Sequence, residues 1–220
     1  MPHTLRLTPL GHSCVLIETQ NRSGDTSRIL LDPGSLTPPL EPIPELHAVL
    51  ITHAHPDHVD AEQLRRLFAD GAVPVYGDAG VGAVIGEAGL GEIVEIGEGV
   101  HDIAGVEVVV ASAEHETIYP GVPVPGNLVF RIAGRVFAPG DAFARPSEPV
   151  EILLLPTGAP WMKLSETIDY LRSVAPRIAV PVHDGGLAMP HREMHRTLME
   201  KFALEGTSVL RPAVGETIEL

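Results

Sequence analysis

Thr52-His53-Ala54-His55-Pro56-Asp57-His58 follows directly on the apolar run Ala48-Val49-Leu50-Ile51. Such a run has the length and composition of a buried strand, so the strand's end delivers three histidines and a carboxylate together. His53 and His55 are two residues apart, and on an extended or turning backbone their rings converge on one point. Pro56 breaks the strand, the chain curls back, and Asp57 and His58 then face a second point close by. Imidazole and carboxylate are the ligand types that borderline divalent metals prefer, so the segment reads as the nucleus of a two-ion site. A solvated histidine tract, used at most to store metal, needs neither the apolar run before it nor an ordered helix after it. Both are present here. Asp60 is a candidate N-cap with Gln63 three residues on, a capping-box pattern. Leu64, Leu67 and Phe68 supply an apolar stripe, and Gly71 follows.

Before this segment the chain reads as strands: Leu5 to Leu7, Cys14 to Ile17 and Ile29 to Leu31, separated by Gly and Asn/Ser/Asp clusters and stopped by Asp32-Pro33-Gly34. After it, strands are expected at Val73 to Tyr76, Val106 to Ala111, Asn127 to Ile132, Val136 to Ala138, Ile152 to Leu155 and Ile178 to Val182. Asp78 caps a short helix running to about residue 88. Helices also fit Ser165 to Val174 and Pro190 to Leu204, the latter with Met194, Leu198 and Phe202 at fourfold spacing. Val209-Leu210 and Ile218 to Leu220 would be closing strands. Meander-like strands followed by alternating strand and helix imply mixed sheets covered by helices. No repeat or linker interrupts the pattern, so residues 1–220 are expected to form one domain.

Composition narrows the classes. The 220 residues are 44% hydrophobic and carry a formal net charge of −14, a surface that repels phosphate backbones and argues against duplex DNA or long RNA as a partner. Aromatic residues, at 4%, give no stacking platform for single strands. The one cysteine, Cys14, cannot form an intramolecular disulfide, and no apolar run reaches the length of a membrane helix. With no signal-peptide pattern at residues 1–8, the expectation is a cytoplasmic protein with no membrane partner.

The segment from His53 to His58 resembles the signature H-x-H-x-D-H of the metallo-β-lactamase superfamily, in which it also follows a strand. Matches to that family's other positions come in the expected order. His115 follows the strand Val106 to Ala111, Asp141 stands in Pro139-Gly140-Asp141 after the strand Val136 to Ala138, and His183 ends the strand Ile178 to Val182. Each also has an ordinary reading: a loop histidine beside glutamates, a turn residue, a satisfied core histidine. Leu10-Gly11-His12-Ser13-Cys14 and Asp32-Pro33-Gly34 are similar to the opening of a cytoplasmic subgroup that includes ascorbate-phosphate lactonase-like enzymes. The resemblance implies an α/β fold, an αββα sandwich of two mixed β-sheets flanked by helices. It implies two divalent ions, one held by His53, His55 and His115, the other by Asp57, His58 and His183, with Asp141 bridging. Zn²⁺ is the usual ion for such donors, while Mn²⁺ or Fe²⁺ also suit them.

In that setting a metal-bound hydroxide would cleave a small ester, lactone or phosphoester, and Asp57 would serve catalysis by orienting the nucleophile or carrying a proton. In the family's redox branch a glutamate commonly stands where His55 stands here, which favours the hydrolytic branch. A nuclease or RNA-processing enzyme of the same superfamily and a non-catalytic metal-binding protein are the alternatives. The expected partner is a small-molecule substrate, and a homo-oligomer is compatible with the sequence. Of the other histidines, His3, His47 and His101 read as surface residues. His191 and His195, four apart on a helix, could pair on a metal or simply face solvent. His12 could line the pocket, and Asp32 could orient a ligand histidine or cap a turn. Arg145, Trp161 and Lys163, on a Pro-rich loop, could touch substrate or lie on the surface.

Overall fold

A computed structural model describes residues 4–69 and 71–220, so His3 lies outside the described residues. The first sheet contains β1 (Leu5–Gly11), β2 (Cys14–Gln20), β3 (Thr26–Leu31), β4 (Ala48–Leu50), β5 (Val75–Gly77) and β6 (Val94–Glu95). The second contains β7 (Gly99–Ile103), β8 (Val106–Glu114), β9 (Gly126–Ile132), β10 (Val136–Ala138), β11 (Ile152–Pro156), β12 (Ile178–Val182) and β13 (Ser208–Val209). β14 (Ile218–Glu219) returns to the first sheet beside β1. The helices are α1 (Ala61–Leu67), α2 (Ala79–Glu87), α3 (Leu164–Val174) and α4 (Met189–Phe202).

The strand orders are β14-β1-β2-β3-β4-β5-β6 and β13-β12-β11-β10-β9-β8-β7. Each sheet is antiparallel at one side and parallel at the other: β3 to β6 run parallel, and so do β10 to β13.

Why the sequence layers this way follows from the twofold side-chain alternation of a strand. In β2, Val15 and Ile17 enter the core between the sheets, while Cys14 and Leu16 point to the cluster under α1 and α2. In β11, Ile152 and Leu154 face the same inter-sheet core, whereas Leu153 and Leu155 pack with Tyr170, Leu171 and Met199 of α3 and α4. Strands buried on both faces must be apolar at every position, which is why Ala48 to Ile51 and Ile152 to Leu155 read as unbroken runs. The expected αββα sandwich of two mixed sheets is what the chain forms.

Three details differ from the sequence reading. Asp60 does cap α1, accepting from the N–H groups of Glu62 and Gln63, but Gln63 does not reach back to close a capping box. Its buried amide instead accepts from Leu40 N–H at 3.0 Å and donates to Thr37 O at 2.8 Å, tying down the 37–40 segment. On α4 the buried residue is Met199, while Met194 and Phe202 are exposed. The helix docks by a narrower face than the fourfold spacing indicated. β6 and β7, unforeseen, are edge elements whose residues are mostly exposed and so lack an apolar pattern.

The topology has one consequence for function. β1 and β3 both run antiparallel to β2, and β4 runs parallel to β3, so β1, β3 and β4 end at the same edge of the first sheet. β8, β10 and β12 likewise end together in the second. Leu128 N–H donates to Thr52 O at 2.8 Å and joins the two edges. The residues just past those six strand ends are His12, Asp32, the segment from Thr52, His115, the turn before Asp141, and His183.

Candidate metal centre

The seven residues expected to hold metal meet at this edge, and His12 lies with them. Ligand-capable atoms of His53, His55, His115 and Asp141 lie within 4.8 Å of one another, and those of His12, Asp57, His58 and His183 form a second such group. Asp141 also reaches the second group, with Oδ1 at 3.1 Å from His58 Nε2 and 3.2 Å from His183 Nε2. Its Oδ2 lies 3.5 Å from His115 Nε2 and 4.0 Å from His53 Nε2. One oxygen of the Asp141 carboxylate thus faces each group.

The local backbone is built for this convergence. Asp32 holds a left-handed φ of 45° and turns its carboxylate inward, accepting from Thr52 N–H at 2.8 Å and Thr52 Oγ1 at 2.7 Å. The neighbouring Gly34 lies so close to the ligand loop that a Cβ there would stand 1.8 Å from Asp57 O. Ser35 N–H donates to Pro56 O at 2.8 Å, and Asp60 N–H to Pro33 O at 3.2 Å. Thus Asp32-Pro33-Gly34 is the bed on which the histidine segment is laid. At the opposite wall, Asn127 accepts from Asp141 N–H at 3.0 Å and donates to Pro139 O at 2.9 Å, fixing the Gly140-Asp141 turn.

The hydrogen bonds define which ring nitrogens are free. His115 Nδ1 lies 2.7 Å from Glu116 O, and His183 Nδ1 lies 2.8 Å from Gly158 O. A carbonyl only accepts, so both Nδ1 atoms carry protons. His58 Nδ1 lies 2.8 Å from the Asp32 carboxylate and donates to it. Thr52 Oγ1 spends its proton on Asp32, and so accepts from His53 Nδ1 at 3.0 Å. The Nε2 atoms of His53, His58, His115 and His183, together with Asp141 Oδ1, are buried without a hydrogen-bond partner. Buried polar atoms are almost always satisfied, and these five lie within the two ligand-capable groups, where the donor types suit divalent cations. His55, half-buried, packs edge-on against His53 and His115 at 4.9 and 4.7 Å between ring centroids.

Electrostatics agree. Burial and the neighbouring rings hold His53 well below the usual histidine pKa, and burial does the same to His55. Burial would also lower His58, but the Asp141 and Asp32 carboxylates outweigh it and raise that ring. Burial likewise opposes charge on His183, yet its contacts to Asp141 and Asp57 raise it to about 9. Despite burial, the carboxyl of Asp57 is held below its ordinary range by His12 and His183, and that of Asp141 by His58, His115 and His183. In the second group, carboxylates and imidazoles thus favour each other's charged forms, whereas burial keeps His53 and His55 neutral.

Sequence reasoning left other participants undecided or unseen. Asp32 proves to be the acceptor for His58. His12 is buried at the second group, with Nε2 3.1 Å from Asp57 Oδ2. Trp161 does reach the centre, its indole N–H donating to Asp141 Oδ2 at 2.9 Å. Arg145 instead flanks a cavity of about 340 Å³ on the outer side of β8 and β9, and Lys163 is exposed at the start of α3. His195 Nδ1 donates to Thr157 O at 2.8 Å and His191 is exposed, so this pair does not converge. Thr52, Asn127 and Gly185 carried no signal, because a threonine, an asparagine and a glycine are common everywhere and only their contacts single them out.

Similarity to known proteins follows the same outline. The family model described as "Beta-lactamase superfamily domain" matches residues 6–183. Protein Rv0786c of Mycobacterium tuberculosis is 39% identical over 197 residues, covering 87% of this chain and 89% of its own. A protein named UPF0173 metal-dependent hydrolase, from Thermofilum pendens, is 28% identical over 212 residues, covering 81% of this chain and 82% of its own. Among solved structures, an isothiocyanate hydrolase from Delia radicum gut bacteria superposes with a TM-score of 0.69 at 19% identity. That match covers 97% of this chain and 98% of the other and shows likeness of fold. Among the described residues, no helix is long and apolar enough to cross a membrane.

Proposed function

The chain belongs to the metallo-β-lactamase superfamily, and on that footing we propose that it is a hydrolase with a dinuclear metal centre acting on a small ester, lactone or phosphoester. The observation that carries the reading is the set of four buried histidine Nε2 atoms, each left without a partner by a ring whose Nδ1 is already committed. His53, His55 and His115 would hold one ion and Asp57, His58 and His183 the other, with Asp141 between them. An all-nitrogen-and-oxygen donor set suits Zn²⁺ first, and Mn²⁺ or Fe²⁺ as well. When bound, such ions lower the pKa of a water toward neutrality and polarise the substrate's oxygen.

What the chain's own residues do follows from their placement. Asp57 has the most open side chain of the proposed second-ion ligands, 28% exposed against 1% for His58 and 4% for His183. As the more open carboxylate it would be the one to meet a substrate, and it would take a proton from the attacking water and return it to the leaving group. Asp141, deep and fixed by Asn127 and Trp161, stays ionised and holds the two halves of the site together. Asp32 and the carbonyls of Glu116 and Gly158 lock their histidines in one orientation, so no reorganisation is needed on binding.

The net charge of −14 favours a small molecule over nucleic acid as substrate. The test is a screen of chromogenic esters, lactones and phosphoesters against protein loaded with zinc or manganese. Turnover of one class, lowered about 10²- to 10⁴-fold by Asp57→Asn, is the expected result. Full activity of Asp57→Asn would remove the proton role. Turnover of RNA, with none of the small substrates accepted, would point to the nuclease alternative.

A further inference from the structure

His12 stands among the second group as if it were a ligand, but its surroundings assign it another task. Gly185 N–H donates to His12 Nδ1 at 3.0 Å. A nitrogen that accepts a hydrogen bond bears no proton, so the ring's proton sits on Nε2, facing Asp57 Oδ2 at 3.1 Å. This is the reverse of the arrangement at His53, His58, His115 and His183, whose Nδ1 atoms donate and whose Nε2 atoms face the centre. A protonated Nε2 has no lone pair for a metal. We propose that His12 is a positioning residue that donates to Asp57 and orients its carboxylate, and that it does not ligate. This rests on the reading of Asp57 as a ligand of the second ion.

The tautomer is enforced from further out. Gly185 is pressed against the ring so closely that a Cβ there would lie 2.9 Å from His12 Nδ1. His183 N–H donates to His12 O at 3.0 Å, so the turn around His12 and the segment 183–185 are joined twice. Asp184, between them, is clamped by α4. Arg192 Nη2 donates to its carbonyl at 2.8 Å, and its carboxylate lies 3.1 Å from Arg192 Nε and 3.3 Å from Arg196 Nη2. The order of contacts thus runs from two arginines on one helix face, through Asp184 and the Gly185 N–H, to His12 and Asp57. His12 itself holds a left-handed φ of 50°, a conformation that costs a non-glycine residue energy and persists where the surroundings impose it.

The experiment uses the full chain and Zn²⁺ itself. Affinity for each ion is measured by chelator competition in the wild type, His12→Ala, His12→Gln and Gly185→Ala, with circular dichroism confirming that each is folded. Long-range ¹H–¹⁵N spectra of the zinc-loaded wild type report the tautomers. Expected are an Nε2-bound proton on His12 and Nδ1-bound protons on His58 and His183. His12→Ala is expected to keep two equivalents at saturation but to hold the second ion about tenfold more weakly. Gly185→Ala, which removes no side chain able to bind metal, should weaken it similarly. His12→Gln, which still offers an N–H, should recover most of the loss. A His12 Nε2 without a proton, or a whole equivalent lost in His12→Ala and not restored by Gln, would make His12 a ligand and overturn the proposal. So would unchanged second-ion affinity in both His12→Ala and Gly185→Ala while the wild type binds two ions. A wild type that takes up no zinc would overturn the centre and the positioning together.

Discussion

At the scale of single residues, the site depends on side chains that never touch an ion. Asp32 is the clearest. It accepts from His58 Nδ1 at 2.8 Å and from Thr52 through both its backbone and its hydroxyl. Outer partners of this kind typically change metal affinity by 10- to 100-fold. Asp32→Ala is therefore expected to weaken binding of the ion held by His58 by about that factor, measured by chelator competition. Unaltered affinity would mean that His58 is oriented by something else. His183 yields a pH signature for the metal-free protein. Its folded pKa, about 9, lies above the 6.5 of an unperturbed histidine. Between those values the folded state binds the extra proton, so the stability this ring contributes is complete below about pH 6.5. It is lost as pH rises through about 9. The urea midpoint of chelator-treated protein should fall across that window, and His183→Gln should remove that part of the fall. A wild-type midpoint that does not fall would show that the ring's proton is not retained on folding. At this scale much of the site was legible from the sequence. Metal ligation draws on few residue types, so His53, His55, Asp57 and His58 announce themselves by crowding. Asn127 and Gly185 act through a carboxamide and a bare backbone N–H that no sequence pattern marks.

Elements place these residues, and they do so by ending. β1, β3, β4, β8, β10 and β12 carry them at one edge, and the tight approach of Gly34 to the backbone at Asp57 sets where the histidine segment lies on it. Gly34→Ala puts a methyl group 1.8 Å from Asp57 O in the present geometry, so the loop must move away. The expected outcome is a folded protein with its usual circular dichroism but sharply reduced zinc uptake. Normal uptake would show that the loop adapts and that the Asp32-Pro33-Gly34 bed is dispensable. Strand positions were legible because alternation and continuous burial leave a period in the sequence, as in Ile152 to Leu155. What failed was side-chain destination. Gln63 stands at the capping-box position, but the buried carbonyl of Thr37 and N–H of Leu40 need a partner more than an exposed helix start does. On α4, Met194 and Phe202 fit a helical stripe by spacing alone, yet Met199 is the buried side chain and Arg192 and Arg196 hold Asp184.

On the scale of the whole molecule, three apolar clusters stack in order: one under α1 and α2, one between the sheets, one under α3 and α4. The two sheets bring histidines from distant parts of the chain to one edge, His53 from the first and His183 from the second, 130 residues later in sequence. That long-range closure was not derivable from local periodicity. Only the order in which the histidines and aspartates occur, matched to a family pattern, indicated it. The surrounding molecule is strongly acidic, so the convergence of unpaired imidazole nitrogens is a local feature set within a negative field. Elemental analysis of protein purified without chelator, beside His55→Ala, tests the central claim most directly. About two equivalents of zinc or manganese per wild-type chain, falling in the variant, is the expected result. A wild type that binds no metal after reconstitution with either ion would contradict it, leaving the superfamily fold without the centre proposed for it.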